Sequence, residues 1–454
     1  MKLQENIIEF LQKNGTKLLE GYPDFVQKAR KAAQERFIAK GFPGPKDEKW
    51  RKTKLKDFLN QYFHPTMGSL LNKTSNPGGY CLVPGLDTLN ISIVNGYLVG
   101  EKALEVLSNG IIIGSLTAAM QKYPELVQDY FNRLTPKQDN PLNDLNTALF
   151  SDGLFLYIPK GIKNFKLQIT HKLDAKVDTL INVRNLIIAE ENSQIDIIQC
   201  DDSNAHRSHF ATYVSEIFVM ENAEINWYKY QNINNNSALF SNSFYEVAQN
   251  GKLYTNFFEL NGKLLRNEQF AEITGKDVSV DLYGLYLTDK KQQADNVIFI
   301  SHSAAGSYSN QKFKGIVDDS GKAFFNGQIL VKKEGQQTNA YQKNDNILLT
   351  DKARVSSQPF LEIYADDVSC SHGSTTGQID EEALFYIRQR GIALRDAQLL
   401  QLYAFTGEII AAIKLPELLE PTKDLVKKRL NGALDACEDC ILQCATKTEE
   451  EKEA

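Results

Sequence analysis

A polar turn followed by a short strand-like run returns repeatedly through the middle of this 454-residue chain, and no other feature restricts its fold as tightly. The unit appears at Glu191-Asn-Ser-Gln-Ile-Asp-Ile-Ile, Glu221-Asn-Ala-Glu-Ile-Asn-Trp-Tyr, Gln249-Asn-Gly-Lys-Leu-Tyr-Thr-Asn, Thr274-Gly-Lys-Asp-Val-Ser-Val-Asp, Asp319-Ser-Gly-Lys-Ala-Phe-Phe-Asn and Thr350-Asp-Lys-Ala-Arg-Val-Ser-Ser, with weaker copies at Ala304 and Tyr364. Counted from the second residue of each unit, the separations are 30, 28, 25, 30, 15, 31 and 14 residues. A coil with two similar corners per turn produces both spacings, the long step for a full turn and the short one for half. The pattern therefore predicts a flattened solenoid of parallel strands, each rung hydrogen-bonded only to its neighbours. Alternation within a unit, such as Val278, Val280 and Leu282 against Ser279 and Asp281, supplies the inward apolar face. A β-sandwich also has short strands between regular turns, but its turns need not share one composition.

The flanks read differently. Ile7, Ile8 and Leu11 recur at helical spacing, Phe25 to Ile38 is rich in helix formers, and Gly41-Phe-Pro-Gly-Pro45 ends that pattern. Past residue 376, Asp380 to Arg390 carries acids in its first turn, arginines in its last and Gly391 just beyond, which marks a helix. Ala393 to Ile413 predicts a second helix, and Pro416 to Leu442 a third region that restarts at Pro421. The expected organisation is an N-terminal helical and mixed region (1–145), a β core (146–376) and a C-terminal helical region (377–454), with the helices covering the solenoid's edge strands.

Composition excludes several classes. Lys plus Arg number 51 and Asp plus Glu 57, a net charge of −6, and no basic run marks a nucleic-acid surface. No apolar stretch is long enough to cross a bilayer and the first residues do not resemble a signal peptide, so a cytoplasmic location without membrane contact is expected. The six cysteines are then reduced thiols rather than a disulfide framework. There is no P-loop, G-x-S-x-G elbow or H-E-x-x-H motif.

Three clusters carry ligand chemistry. In Ala365-Asp-Asp-Val-Ser-Cys370-Ser-His372-Gly-Ser-Thr-Thr-Gly377, Cys370 and His372 lie two apart on a strand and share one side, so a thiolate and an imidazole reach one surface. Two ligands are half of a tetrahedral iron or zinc site, and a docking polypeptide has to supply the rest. The competing reading is a buried thiol beside a turn histidine. Cys437, Cys440 and Cys444 fall at i, i+3 and i+7, one helix face, which is either an additional metal site or a core stripe. His206 and His209, near Cys200 and Asp202, face opposite sides of a strand and read as a surface polar loop.

The stretch from Asp366 through Cys370, His372 and Gly377 to Ile392 resembles the C-terminal signature of the SufB/SufD family, subunits of the SUF iron–sulfur cluster assembly scaffold. Phe150-Ser-Asp-Gly-Leu-Phe-Leu-Tyr-Ile-Pro-Lys-Gly161 and Asp47-Glu-Lys-Trp-Arg-Lys-Thr-Lys-Leu-Lys also look like that family, and Cys-Ser-His-Gly at 370–373 reads like its SufD branch. The resemblance implies a right-handed parallel β-helix with helical termini that is not itself an enzyme. It implies pairing with a SufB-type sister subunit and binding of a SufC-type ABC ATPase, which fits the missing P-loop. A transient iron–sulfur cluster or iron would be shared at the seam, with His372 and more weakly Cys370 as ligands. Asp380, Glu381, Leu384, Phe385, Ile387, Arg388, Ile392 and Leu394 would fall in the ATPase-binding region. The cysteine run at 437–444 has no counterpart in the resemblance. Two other functions stay open at this level: a β-helical carbohydrate-active enzyme, and a purely structural solenoid that forms a homodimer.

Overall fold

The computed structural model describes residues 2–44, 46–66, 83, 85–100, 103–203 and 207–434. Its centre is a parallel β-solenoid of about seven turns, built as two facing sheets. One sheet stacks alternate strands from Leu154–Ile158 to Arg354–Ile363, and the other from Phe165–Leu173 to Val368–Gly377. The early hairpins are antiparallel and cap the first turn: Leu104–Val106 pairs with Ile112–Ser115, and Leu89–Val94 with Tyr97–Val99.

The repeat has a backbone cause. Asn192, Asn222, Asn250, Asp277, Gly306 and Gln337 all have φ between 55° and 76° and stack at one corner. Each donates its N–H to a carbonyl one turn on, as in Asn192 to Glu221 (2.9 Å), Asn222 to Gln249 (3.0 Å) and Gln337 to Asp367 (2.6 Å). A left-handed residue is needed there, which is why Asn, Asp and Gly recur. Lys290 and Asp319, with φ of 50° and 46°, occupy the opposite corner, so the half-length steps of the sequence cross from one corner to the other. At the fourth unit the left-handed residue is Asp277 and not Gly275. Gly275 is instead a close approach, where a Cβ would stand 2.0 Å from the Gln249 nitrogen.

The described helices lie on the outer faces of the sheets and not over the last edge, contrary to the sequence-based expectation. Near the N-terminus, Lys2–Asn14 and Asp24–Lys40 pack with Pro141–Leu149 against Leu180, Phe210, Phe240 and Leu264 on the first sheet. Arg30, fully buried, reaches the carbonyls of Ala148 (3.1 Å) and Phe150 (2.9 Å). Leu394–Ala411 and Pro416–Leu430 cover Tyr228, Tyr230, Tyr254 and Phe258 on the second sheet. Pro421 does not restart the last helix but sits inside it, because Leu418, Thr422, Leu425 and Val426 are held against the sheet.

The inward side of the coil is not purely apolar. Ile197, Ile225, Val280, Leu282, Phe313 and Phe325 belong to one buried cluster. Threaded through it, His171 Nδ1 meets Asp201 (3.0 Å), Gln231 donates to Asp201 (3.2 Å) and Asn267 donates to Gln231 (2.7 Å). Lys229 donates to Ser241 (2.9 Å), and Glu259 is also buried. Burial pushes the Glu259 carboxyl from 4.5 up to about 8. The folded chain therefore keeps a proton that the unfolded chain has released, and stability falls as pH rises through that window. Burial pulls the Lys229 ammonium from 10.5 down to about 8, and that cost is constant below pH 8 and relieved only above it. Replacing Glu259→Gln is expected to flatten the fall in Tm between about pH 5 and about pH 8 in scanning calorimetry. Equal slopes for both proteins would contradict this origin of the pH dependence.

Candidate functional site at the open last rung

The last strand, Val368–Gly377, pairs on one side with Thr338–Leu348, in the register Ala340 to Cys370 and Gln342 to His372. Thr338, Ala340, Gln342 and Asn344 are the buried, inward positions of that neighbour. Register therefore puts Cys370, His372 and Ser374 on the inward side as well, where the coil ends. Cys370 is half-buried and packs against the cluster of Ile329, Val331, Ala340 and Ala365. Burial pushes its thiol above the ordinary range, against a hydrogen bond with the Ala340 backbone that pulls the other way. His372 is exposed. Ser374 Oγ donates to Ser357 Oγ (2.8 Å) on Arg354–Ile363, which ties the two sheets together across the mouth.

The two final strands are left open. Along Arg354–Ile363 and Val368–Gly377 most residues are exposed or half-buried, whereas the strands beneath are largely buried. Phe360 is 54% and Tyr364 55% exposed at this end. Among the described residues no group of three or more His, Cys, Asp and Glu side chains converges in a way that could hold a metal ion. The thiol and imidazole of the last rung thus fit a soft metal by type but not by number. An incoming chain has room to complete the set, since nothing described covers this end.

The other sequence-based candidates fall elsewhere. Cys437, Cys440 and Cys444, together with Cys81 and His206, lie outside the described residues. His209 is fully buried at the start of a strand and not on a surface loop, and burial pulls its imidazole down to about 4. Cys200 is buried beneath the C-terminal helices. The neighbour that matters electrostatically is Asp201, which sequence reading passed over. The signal for it was a polar residue at a position that the flanking Ile195 and Ile197 mark as inward.

The helix Glu381–Arg388 has no buried residue. Asp380 caps it, accepting from Glu382 (2.9 Å) and Ala383 (3.1 Å), and Gln401 clasps the Asp380 backbone from the next helix. Leu384, Ile387 and Ile392 are half-buried, Glu381 and Arg388 exposed, and Phe385 and Leu394 are 64% and 44% exposed. Leu400, 48% exposed, adds to this uncovered apolar surface.

The family model described as "SUF system FeS cluster assembly, SufBD core domain" matches residues 171–405, and "SufBD protein N-terminal region" matches 1–169. The Escherichia coli protein named iron–sulfur cluster assembly protein SufD is 27% identical over 403 residues, covering 88% of this chain and 92% of that one. The SufBD family protein slr0076 of Synechocystis is 27% identical over 401 residues, covering 86% and 88%. The chloroplastic SufBD family protein of Arabidopsis thaliana, ABCI8, is 26% identical over 345 residues, covering 74% of this chain and 61% of its own length.

The floor of the last rung offers a test of this geometry. Gln342 donates to Gln311 (3.0 Å) directly beneath His372 in register, and Gly327 across the coil leaves it room. A Cβ at residue 327 would stand 1.4 Å from Gln342 Nε2. Gly327→Ala is expected to cost about 1–3 kcal/mol by overpacking and to move the His372 imidazole resonances in NMR. Unchanged resonances at unchanged stability would show that the rung is not packed this way.

Proposed function

Since the chain belongs to the SufB/SufD family of SUF iron–sulfur cluster assembly proteins, we propose that it is a non-catalytic scaffold subunit whose open last rung forms a shared seam with a SufB-type sister subunit. The observation that carries this reading is the unfinished end: two edge strands each paired on one side only among the described residues, with a half-buried Cys370 and an exposed His372 on the last of them. Iron or a nascent cluster is the cargo at that seam. His372 is the ligand that faces it, and Cys370 is the second donor. The thiol has to lose its proton to bind, and its raised pKa makes that step depend on the arriving metal or partner.

The uncovered helix Glu381–Arg388 and the following turn serve as the docking surface for a SufC-type ABC ATPase. Gln401 joins this helix to the two that follow, which Tyr230 and Asn256 hold on the second sheet through Thr422 Oγ1 (2.6 Å) and the Ile409 carbonyl (3.0 Å). Movement of the ATPase pair would pull on these helices, and through them on the sheet that ends in Val368–Gly377. No described helix is long and apolar enough to cross a membrane, and the reading places the complex in the cytoplasm, where thiols stay reduced.

Co-expression with the ATPase and sister subunit is expected to give one stable complex. Iron and sulfide analysis after reconstitution should then show His372→Ala retaining the complex but losing most of the cluster, with a smaller loss for Cys370→Ala. Unchanged iron and sulfide in the His372→Ala complex would remove the ligand assignment. A chain that stays alone, or only self-associates, would remove the scaffold reading. A second variant, Phe385→Asp, should abolish ATPase co-purification without unfolding the chain, because that side chain is 64% exposed.

A further inference from the structure

A groove crosses the outer face of the first sheet where the N-terminal region meets its last strands. Two contiguous cavities of about 260 and about 200 Å³ share Gln138, Phe270 and Phe299. The floor is a row of aromatic rings. Phe244 stacks on Phe270 at 5.2 Å between centroids and Phe270 meets Phe299 at 6.4 Å, while Phe324 lines the groove off this row, in register with Asp295. Trp50 forms one wall, with the Arg266 guanidinium lying 4.0 Å over its ring. Glu268 closes the deep end, accepting from Arg266 (2.7 Å) on one side and Asn140 (2.9 Å) on the other.

The polar groups that remain define what fits. Arg266 is taken by Glu268, and Lys137 by Glu272 (2.5 Å), while the rim residues Glu48 and Lys49 have opposite signs. Lys332 shares Glu272 (3.8 Å), so a phosphorylated or otherwise anionic ligand would meet no free pair of cations among the described lining residues. The side-chain amides of Gln138, Asn326 and Gln358, by contrast, line the groove without a hydrogen-bond partner among the described residues. Each offers both a donor and an acceptor, the complement of a peptide backbone. From Phe244 to the edge strand that carries Gln358, the groove crosses four inter-strand steps. At ~4.8 Å each these span roughly 19 Å, the length of about six extended residues. It runs out beside Phe360, on the same open edge that the proposed partner would meet.

We infer that this groove binds an extended, uncharged peptide segment of a partner polypeptide, apolar side chains entering the two cavities and the backbone held by Gln138, Asn326 and Gln358. The inference rests on the docking reading of the open end and adds a second recognition element to it. It also explains why Phe270 and Phe299 are left half-buried next to a region where the N-terminal helices cover the same sheet.

The test uses the full chain and a panel of capped, uncharged hexapeptides in which Phe or Leu alternates with Asn. Binding is followed by calorimetry and by the emission of Trp50, which lines the groove, whereas Trp227, the other tryptophan, belongs to the cluster inside the coil. The expected result is binding that is insensitive to salt and weakened about tenfold by Phe299→Ser, with a smaller loss from Gln358→Ala, an exposed position that leaves the fold intact. His372→Ala should bind the peptides normally, so failure here and failure of the cluster reading are separable. Absence of peptide binding, binding that survives Phe299→Ser, or binding of the planar probes riboflavin or AMP with the peptides silent would each overturn the inference.

Discussion

Every rung of this protein depends on the rung before it through in-register parallel pairing, and a ladder of that kind cannot finish itself. Each turn places a left-handed residue at one corner, whose N–H bonds the next turn's carbonyl, so the pitch is fixed residue by residue. The side-chain stacks follow from it: Phe244 on Phe270 outside, and Tyr230 on Phe258 beneath the C-terminal helices. After Gly377 the stacking stops, and a row of backbone donors and acceptors faces outward. Evolution can cover such an edge or use it. Here the helices that were available for covering lie on the outer faces instead.

That placement decides where chemistry can happen. Inside the coil, polar groups are shut away and their proton affinities are displaced, as with Glu259, Lys229 and His209. At the last rung the same inward positions become reachable, so Cys370 keeps a core-like environment on one side while His372 meets solvent. A half-complete ligand set at an unfinished edge couples metal capture to assembly: the partner that satisfies the backbone also supplies the missing donors. The polar thread from His171 through Asp201 and Gln231 to Asn267 is held by the coil itself and needs no partner.

The parts of this design that were legible in the sequence are those with a local cause. The corner needs φ near 60°, which favours Asn, Asp and Gly over other residues, Gln337 being the exception, and that preference is what made the repeat visible in units such as Glu191-Asn and Glu221-Asn. The stop at Gly391 was legible for the same reason, with Gly391 at φ 85°. What the sequence hid depends on distant packing. An amphipathic helix announces an apolar face but not which surface it covers, so the helices were expected on the edges. Pro421 looked like a break because its packing partners lie on strands some 170 to 190 residues earlier, as Tyr230 and Thr422 show (|i−j| = 192). His209 looked like a loop residue because the strand begins one step sooner than its polar neighbours suggest. Within the candidate site, the pairing of Cys370 with His372 followed from strand parity, and an exposed last strand from its place at the end of the repeat.

Amide hydrogen exchange along Val368–Gly377 tests the central claim most directly, comparing the lone chain with the complex it forms with the sister subunit. If the last rung is an edge waiting for a partner, alternate amides of this strand exchange rapidly in the lone chain and become protected together on complex formation, while Thr338–Leu348 beneath is slow in both. Protection already complete in the lone chain, or exchange unaltered by the partner, would contradict the account.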